Sequence, residues 1–211
     1  MRTKEQIDGI LEALAREYPD AECTLDERDA WRLLVQVRLA AQCTDARVNL
    51  VTPALFERFP TVEAMAAADI GEVEKYIHSC GFYRAKARDI VWQAQRICEV
   101  YGGSVPDNMD DLLTLPGVGR KSANLILGDV FRQSGAVVVD THCIRLSNRM
   151  GLVDDDKDPV RIEKALRAVL PPEKTNGFCH RLVLHGRAVC TARKPLCDIC
   201  CCAVYCKALN R

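Results

Sequence analysis

Apolar residues recur at intervals of three and four along almost the whole chain, and that period restricts it to an assembly of helices. Ile7, Ile10, Leu11 and Leu14 form one stripe over residues 4–17, as in an amphipathic helix. Residues 28–42 are apolar nearly all round, through Trp31, Leu33, Leu34, Val35, Val37 and Leu39, and predict a buried central helix that Arg38 interrupts. Thr44 or Asp45 can cap a third helix running through Glu57. Pro60-Thr61 and Ala68-Asp69 begin two short helices, the second ending near Gly81, and residues 83–101 make a longer one closed by Gly102-Gly103. Asp110 starts a short helix that runs into LPGVGRKSANLIL, and further helices follow at about 140–150, 159–169 and 175–188. The β-like run Ala136–Val139 stops at once in Asp140-Thr141-His142 and reads as an extended connector. The expected fold class is all-α, built from many short helices.

Composition narrows the class of protein further. A hydrophobic fraction of 48% and a charged fraction of 27% over 211 residues are ordinary for a globular protein and exclude a disordered chain. Lys plus Arg (29) balances Asp plus Glu (29), so any basic surface must come from local segregation. No apolar run approaches the roughly 18 residues that cross a bilayer. The opening MRTKEQIDGILEALAREY lacks the apolar core and cleavage site of a signal peptide. These features predict a soluble, cytoplasmic protein with no membrane partner.

The chain has 12 cysteines, and their distribution says more than their number. Cys23, Cys43, Cys80, Cys98, Cys143 and Cys179 are scattered through apolar or helical surroundings and read as small core residues. The others crowd between Cys190 and Cys206, a density that asks for a metal. Cys190, Cys197, Cys200 and Cys206 give C-x6-C-x2-C-x5-C. Four thiolates in a compact loop suit a [4Fe–4S] cluster or a four-cysteine zinc site. Zinc ribbons use two C-x2-C knuckles, and only one is present. Cys201 and Cys202 also leave the register of that knuckle open. From residue 179 onward Arg181, Arg187, Arg193, Lys194, Lys207 and Arg211 face the single acid Asp198, a local basic run within a neutral chain.

The segment Leu115-Pro116-Gly117-Val118-Gly119-Arg120-Lys121 lies between two apolar helical stretches. Pro116 ends the preceding helix, and the glycines permit positive φ and close approach of the backbone. Such a turn aims successive N–H groups outward at a helix N-terminus, where an anion binds, most naturally a nucleic-acid phosphate. Gly117, Val118, Gly119 and Arg120 are the expected contacts. Backbone meeting phosphate is blind to base sequence.

LPGVGRKSAN followed by VDTHCIRLSNR, with its aspartate 19 residues after the lysine, resembles the helix-hairpin-helix and catalytic segments of the endonuclease III family of DNA glycosylases. AAQCTDARVN at 40–49, CGFYRAKARDI at 80–90 and LHGRAVCTARKPLCDIC downstream extend the resemblance over nearly the whole chain. It implies a two-lobed fold, with a helical barrel over residues 23–132 and a discontinuous lobe of residues 1–22 and 133–211 whose loop 190–206 holds a [4Fe–4S] cluster. It selects Cys190, Cys197, Cys200 and Cys206 as ligands, and Arg193 and Lys194 in the interval Thr191–Leu196 between the first two point to a second phosphate contact.

The family's activity is base excision from duplex DNA carrying oxidised pyrimidines or abasic sites, with strand cleavage at the resulting site. By position, Lys121 matches the lysine that attacks C1′ and forms a Schiff base, and Asp140 matches the catalytic aspartate. A helix N-terminus, Arg120 alongside and partial desolvation would each favour the neutral amine of Lys121. A flipped-out nucleotide leaves a gap; Gln42 matches the glutamine that fills it, and Phe82 stands where many relatives carry a leucine wedge. His142 is expected near DNA, with no proton-transfer role. Arg38 departs from the apolar residue expected in its helix. The resemblance implies DNA lying in a cleft with Lys121 and Asp140 facing each other, and a monomer serving one lesion at a time.

Two other functional classes compete with this reading. A non-catalytic helix-hairpin-helix DNA-binding protein with an iron–sulfur cluster would not need Lys121 and Asp140 together. An AP lyase without base excision would need the lysine alone. The adenine glycosylases of the same superfamily lack the lysine and carry a further domain.

Overall fold

The computed structural model describes residues 2–209; Arg211 of the basic run therefore lies outside the described residues. Eleven α-helices and three short 3-10 turns make up the described chain, and no strand occurs among the described residues. Residues 136–139 are an extended, buried connector. The chain separates into two compact units, one formed by the segments ending at Cys23 and beginning at Gln133, the other by Thr24–Arg132.

The continuous unit contains α2 (Ala30–Ala40), α3 (Asp45–Arg58), α4 (Val62–Ala66), α5 (Ile70–Ile77), α6 (Tyr83–Tyr101), α7 (Met109–Leu112) and α8 (Arg120–Asp129). Nearly every start carries a side-chain cap: Asp29, Thr44, Thr61, Asp69 and Asn108 each accept a backbone N–H from the first turn. α2 packs against α3, α6 and α8, and α4 and α5 lie on α6. Leu33, Leu34, Leu39, Leu55, Ile90, Ile97, Ala123 and Ile126 are buried at the centre of this packing. Burial of their apolar surface is the main term holding the unit together.

In the discontinuous unit α1 (Lys4–Glu17) packs on α11 (Thr175–Ala188), and α11 packs on α9 (Thr141–Met150); α10 (Pro159–Val169) completes the helices. A capping box opens α1, in which Thr3 accepts from Gln6 and returns its own N–H to the Gln6 side chain. Arg181 donates to the Tyr18 carbonyl at 3.1 Å and Arg2 to the Met150 carbonyl at 3.0 Å, tying the N-terminal helix to the distant half of the sequence. Of the six cysteines expected in the core, Cys80, Cys143 and Cys179 are buried, whereas Cys23, Cys43 and Cys98 are only half-buried at helix ends and loops. No helix among the described residues is long and apolar enough to cross a membrane.

Candidate active site and nucleic-acid interface

The segment between α7 and α8 folds as a tight hairpin. Leu115 and Val118 donate their N–H groups to Leu112 and Leu115, each at 3.1 Å, and Gly117 takes the left-handed conformation with φ of 72°. Gly119 occupies the N-cap of α8 without supplying a side-chain acceptor. The N–H groups of the first turn of α8 have no intrahelical carbonyl to meet, as at any helix start. The positive end of the helix dipole therefore opens beyond Gly119 with a bare backbone in front of it.

Lys121 is the second residue of α8 and is exposed, beside half-buried Arg120. The helix N-terminus and Arg120 expected from the sequence are present, but the fold itself does not desolvate the amine. The loops after α2 and before α6 carry Gln42 and Phe82, both exposed and both in the left-handed region, with φ of 54° and 58°. A non-glycine residue there costs about 1–2 kcal/mol, a strain that concentrates at functional loops. Phe82 retains 68% of its surface, so core packing does not explain its size. The two loops meet, because a Cβ at Gly81 would lie 3.5 Å from the Gln42 carbonyl oxygen.

In the other unit Asp140 caps α9, its Oδ1 accepting from the Cys143 N–H at 2.7 Å. His142 is turned inward: it is half-buried, its Nδ1 is 3.1 Å from an Arg145 nitrogen, and it presses against Gly186 on α11. Arg145 also donates to the carbonyls of Gly186 and Cys190 at 3.0 and 3.1 Å. Arg149 grips the start of the cysteine loop, donating to the Cys190 sulfur at 3.4 Å and to the Thr191 and Ala192 carbonyls at 2.7 and 2.8 Å. Arg193 and Lys194 are exposed on the arc between Cys190 and Cys197.

The cysteine loop is organised by hydrogen bonds from α9 and α11. His185, fully buried, links the Tyr18 hydroxyl at 3.1 Å to the Cys200 sulfur at 3.3 Å. The Cys206 thiol donates to the Arg149 carbonyl at 3.3 Å. Burial, and then the neighbouring charges of Cys200, Cys190 and Cys206, push the Cys197 thiol up. A hydrogen bond from Cys202 chiefly, opposed by burial and aided by His185, draws Cys200 down to about 4. Among the described residues no three His, Cys, Asp or Glu side chains converge closely enough to hold a single metal ion.

Sequence reasoning missed Arg145, Arg149, Tyr18 and His185 around the cysteine loop. It also missed Asp89 and Gln93, which reach the hairpin from α6. An arginine in the last turn of a helix signals only that it can meet carbonyls there; which carbonyls it meets depends on packing.

A bare-backbone hairpin opening a helix, with a lysine on its first turn and a four-cysteine loop elsewhere, defines the class. The family model of the HhH-GPD superfamily base excision DNA repair proteins matches residues 35–172. Endonuclease III of Synechocystis is 48% identical over 197 residues, covering 93% of this chain and 90% of its own, and that of Bacillus subtilis is 40% identical over 95% and 91%. The solved structure of a trapped endonuclease III–DNA covalent intermediate superposes with a TM-score of 0.91 at 40% identity, covering 100% of this chain and 98% of its own. A thermostable thymine-DNA glycosylase shares the fold, with a TM-score of 0.88 at 22% identity. The chain belongs to the endonuclease III family of this superfamily.

Proposed function

We propose that the chain removes oxidised pyrimidines from duplex DNA and cleaves the strand at the resulting abasic site, with Lys121 as nucleophile and Asp140 as the catalytic carboxylate. The protein is a base excision repair DNA glycosylase with AP lyase activity, and DNA is its substrate. The observation that carries the residue assignment is the position of Lys121 on the first turn of α8, immediately after the bare N-cap Gly119. A phosphate held by the hairpin fixes the strand at that turn and brings a deoxyribose within reach of the amine.

The Lys121 amine bonds to C1′ while the glycosidic bond breaks, and its electron pair leaves with the damaged base. Loss of the amine proton and opening of the sugar ring give a Schiff base. Removal of a C2′ proton then expels the 3′ phosphate by β-elimination. Asp140 stabilises the positive charge that develops on the sugar, and the cap bond from Cys143 holds its carboxylate in one rotamer. Because the free amine is exposed, its desolvation comes from the bound DNA. Gln42 and Phe82 fill the gap left by the extruded nucleotide. Arg193 and Lys194 bind phosphate on the cysteine arc. His142, held by Arg145 and packed against Gly186, contributes to the DNA contact with no proton-transfer role.

Cys190, Cys197, Cys200 and Cys206 are the residues that would hold a [4Fe–4S] cluster. Their C-x6-C-x2-C-x5-C spacing, with a single C-x2-C knuckle, suits such a cluster better than a four-cysteine zinc site. Cys202 is buried and bonded toward its neighbours, which favours the register through Cys200. The cluster would supply a rigid core for the loop and take no part in base excision.

Borohydride trapping tests the reading. Duplexes carrying thymine glycol or an abasic site should both give a covalent complex with the parent and none with Lys121→Gln. Trapping on the abasic site alone would reduce the protein to a lyase, and no trapping with DNA binding intact would overturn the lysine mechanism.

A further inference from the structure

The arginine that interrupts the apolar face of α2 does not extend to solvent. Its Nε and one terminal nitrogen both donate to Oδ2 of Asp89 on α6, at 2.9 and 2.6 Å, and the two side chains keep 18% and 14% of their surface. This pair lies directly under the hairpin. A Cβ at Gly117 would stand 2.6 Å from Arg38 Nε and 2.9 Å from Asp89 Oδ2, so only the bare glycine backbone fits over it. One helical turn along α6, Gln93 donates its amide to the Pro116 carbonyl at 2.5 Å. Asp89 and Gln93 thus share a helix face and meet two consecutive residues of the turn.

We propose that Arg38 neutralises the Asp89 carboxylate, which would otherwise lie beneath the bound phosphate. This rests on the reading that the hairpin holds DNA phosphate. Arg88 approaches Asp89 only to 3.9 Å through Oδ1 and is half exposed, so screening by water leaves Arg38 as the main counter-charge. The pair thereby sets the sign of the field under the turn.

The two substitutions that break the pair must therefore act in opposite directions on DNA affinity. Arg38→Leu leaves a half-buried carboxylate facing a phosphate and should weaken binding to an abasic-analogue duplex by roughly 10-fold or more at low salt. Asp89→Asn leaves the guanidinium and should bind at least as tightly as the parent. The double variant R38L/D89N should return to within about threefold of the parent, the rescue expected of charge compensation. A mere brace predicts that both single variants lose affinity alike and that the double does not recover, and that result would overturn the proposal. Should Arg38→Leu fail to fold, Asp89→Asn decides alone: a tenfold loss of affinity with an unchanged melting curve overturns it.

Gly119→Asp separates this proposal from the hairpin reading beneath it. Nothing lies within 4 Å of a Cβ at Gly119, and its extended backbone accepts an aspartate N-cap. The variant should fold at least as stably as the parent yet repel phosphate. Parent-like DNA binding by Gly119→Asp would overturn the hairpin reading and this proposal together. Weak binding by Gly119→Asp with parent-like binding by Arg38→Leu would overturn the proposal alone.

Discussion

Replacing Asp140 by asparagine separates the two tasks its carboxylate performs. As the N-cap of α9 it accepts one backbone N–H at 2.7 Å, a bond that an asparagine amide oxygen makes equally well. Only the interaction of the charge with the helix dipole is lost, about 0.3–1 kcal/mol. Alanine removes the acceptor as well and costs about 0.5–2 kcal/mol. If the carboxylate also stabilises charge on the sugar, both variants should lose about 10²–10³ in rate, the scale of one electrostatic contact in an active site. Urea unfolding and single-turnover excision of thymine glycol, run on the same preparations, therefore give a two-by-two pattern. Stability should be nearly retained in Asp140→Asn and reduced in Asp140→Ala, with activity lost in both. Excision by Asp140→Asn within threefold of the parent would refute the catalytic role and leave Asp140 as a cap alone.

Phe82→Gly should melt no lower than the parent, because relief of the left-handed strain offsets the greater freedom of glycine in the unfolded chain, about 1 kcal/mol each way. It should nonetheless excise thymine glycol at least tenfold more slowly in single turnover. Lys86 is fully buried, donates to the Leu39 carbonyl at 2.7 Å, and is pushed by burial below the usual lysine range. As pH rises from its lowered folded value toward 10.5, the unfolded chain keeps the proton that the folded chain gives up, so this group adds stability through that window. Subtracting the alkaline stability profile of Lys86→Met from that of the parent should reveal the rise. The Asp156 carboxylate is held near 2 by the Arg161 guanidinium and then by the Asp158 N–H. Its contribution is present above the unfolded value of 3.8 and is lost as pH falls toward 2, so acid melts of Asp156→Asn should show a shallower decline than the parent.

The helices were legible because period and caps agree. Residues 4–17, 83–101, 159–169 and 175–188 form helices at those bounds, and Thr44, Asp69 and Thr61 are caps in the structure as in the sequence. The hairpin was legible because glycines beside a proline permit few other paths. The fate of Arg38 was not legible: its partner is 51 residues away on another helix, and neither residue alone signals the other. Exposure was equally hidden. Phe82 has the size of a core residue and the sequence around Lys121 predicts a partly desolvated amine, yet both face solvent, Phe82 from a left-handed loop position. His142 shows the reverse, a polar residue drawn inward by Arg145 and a gap at Gly186.

The tie between α1 and α11 fixes an order of assembly. Tyr18 and Arg181 are separated by 163 residues, so during synthesis the first helix must wait for nearly the whole chain before its partner exists. Thr24–Arg132 is continuous and can bury its core while the rest is still being made. Until α11 emerges, the helix carrying the apolar stripe of Ile7, Ile10, Leu11 and Leu14 lacks its α11 partner. The cysteine loop follows α11 in the sequence, so it is delivered to a nascent protein whose other unit, Thr24–Arg132, is already complete.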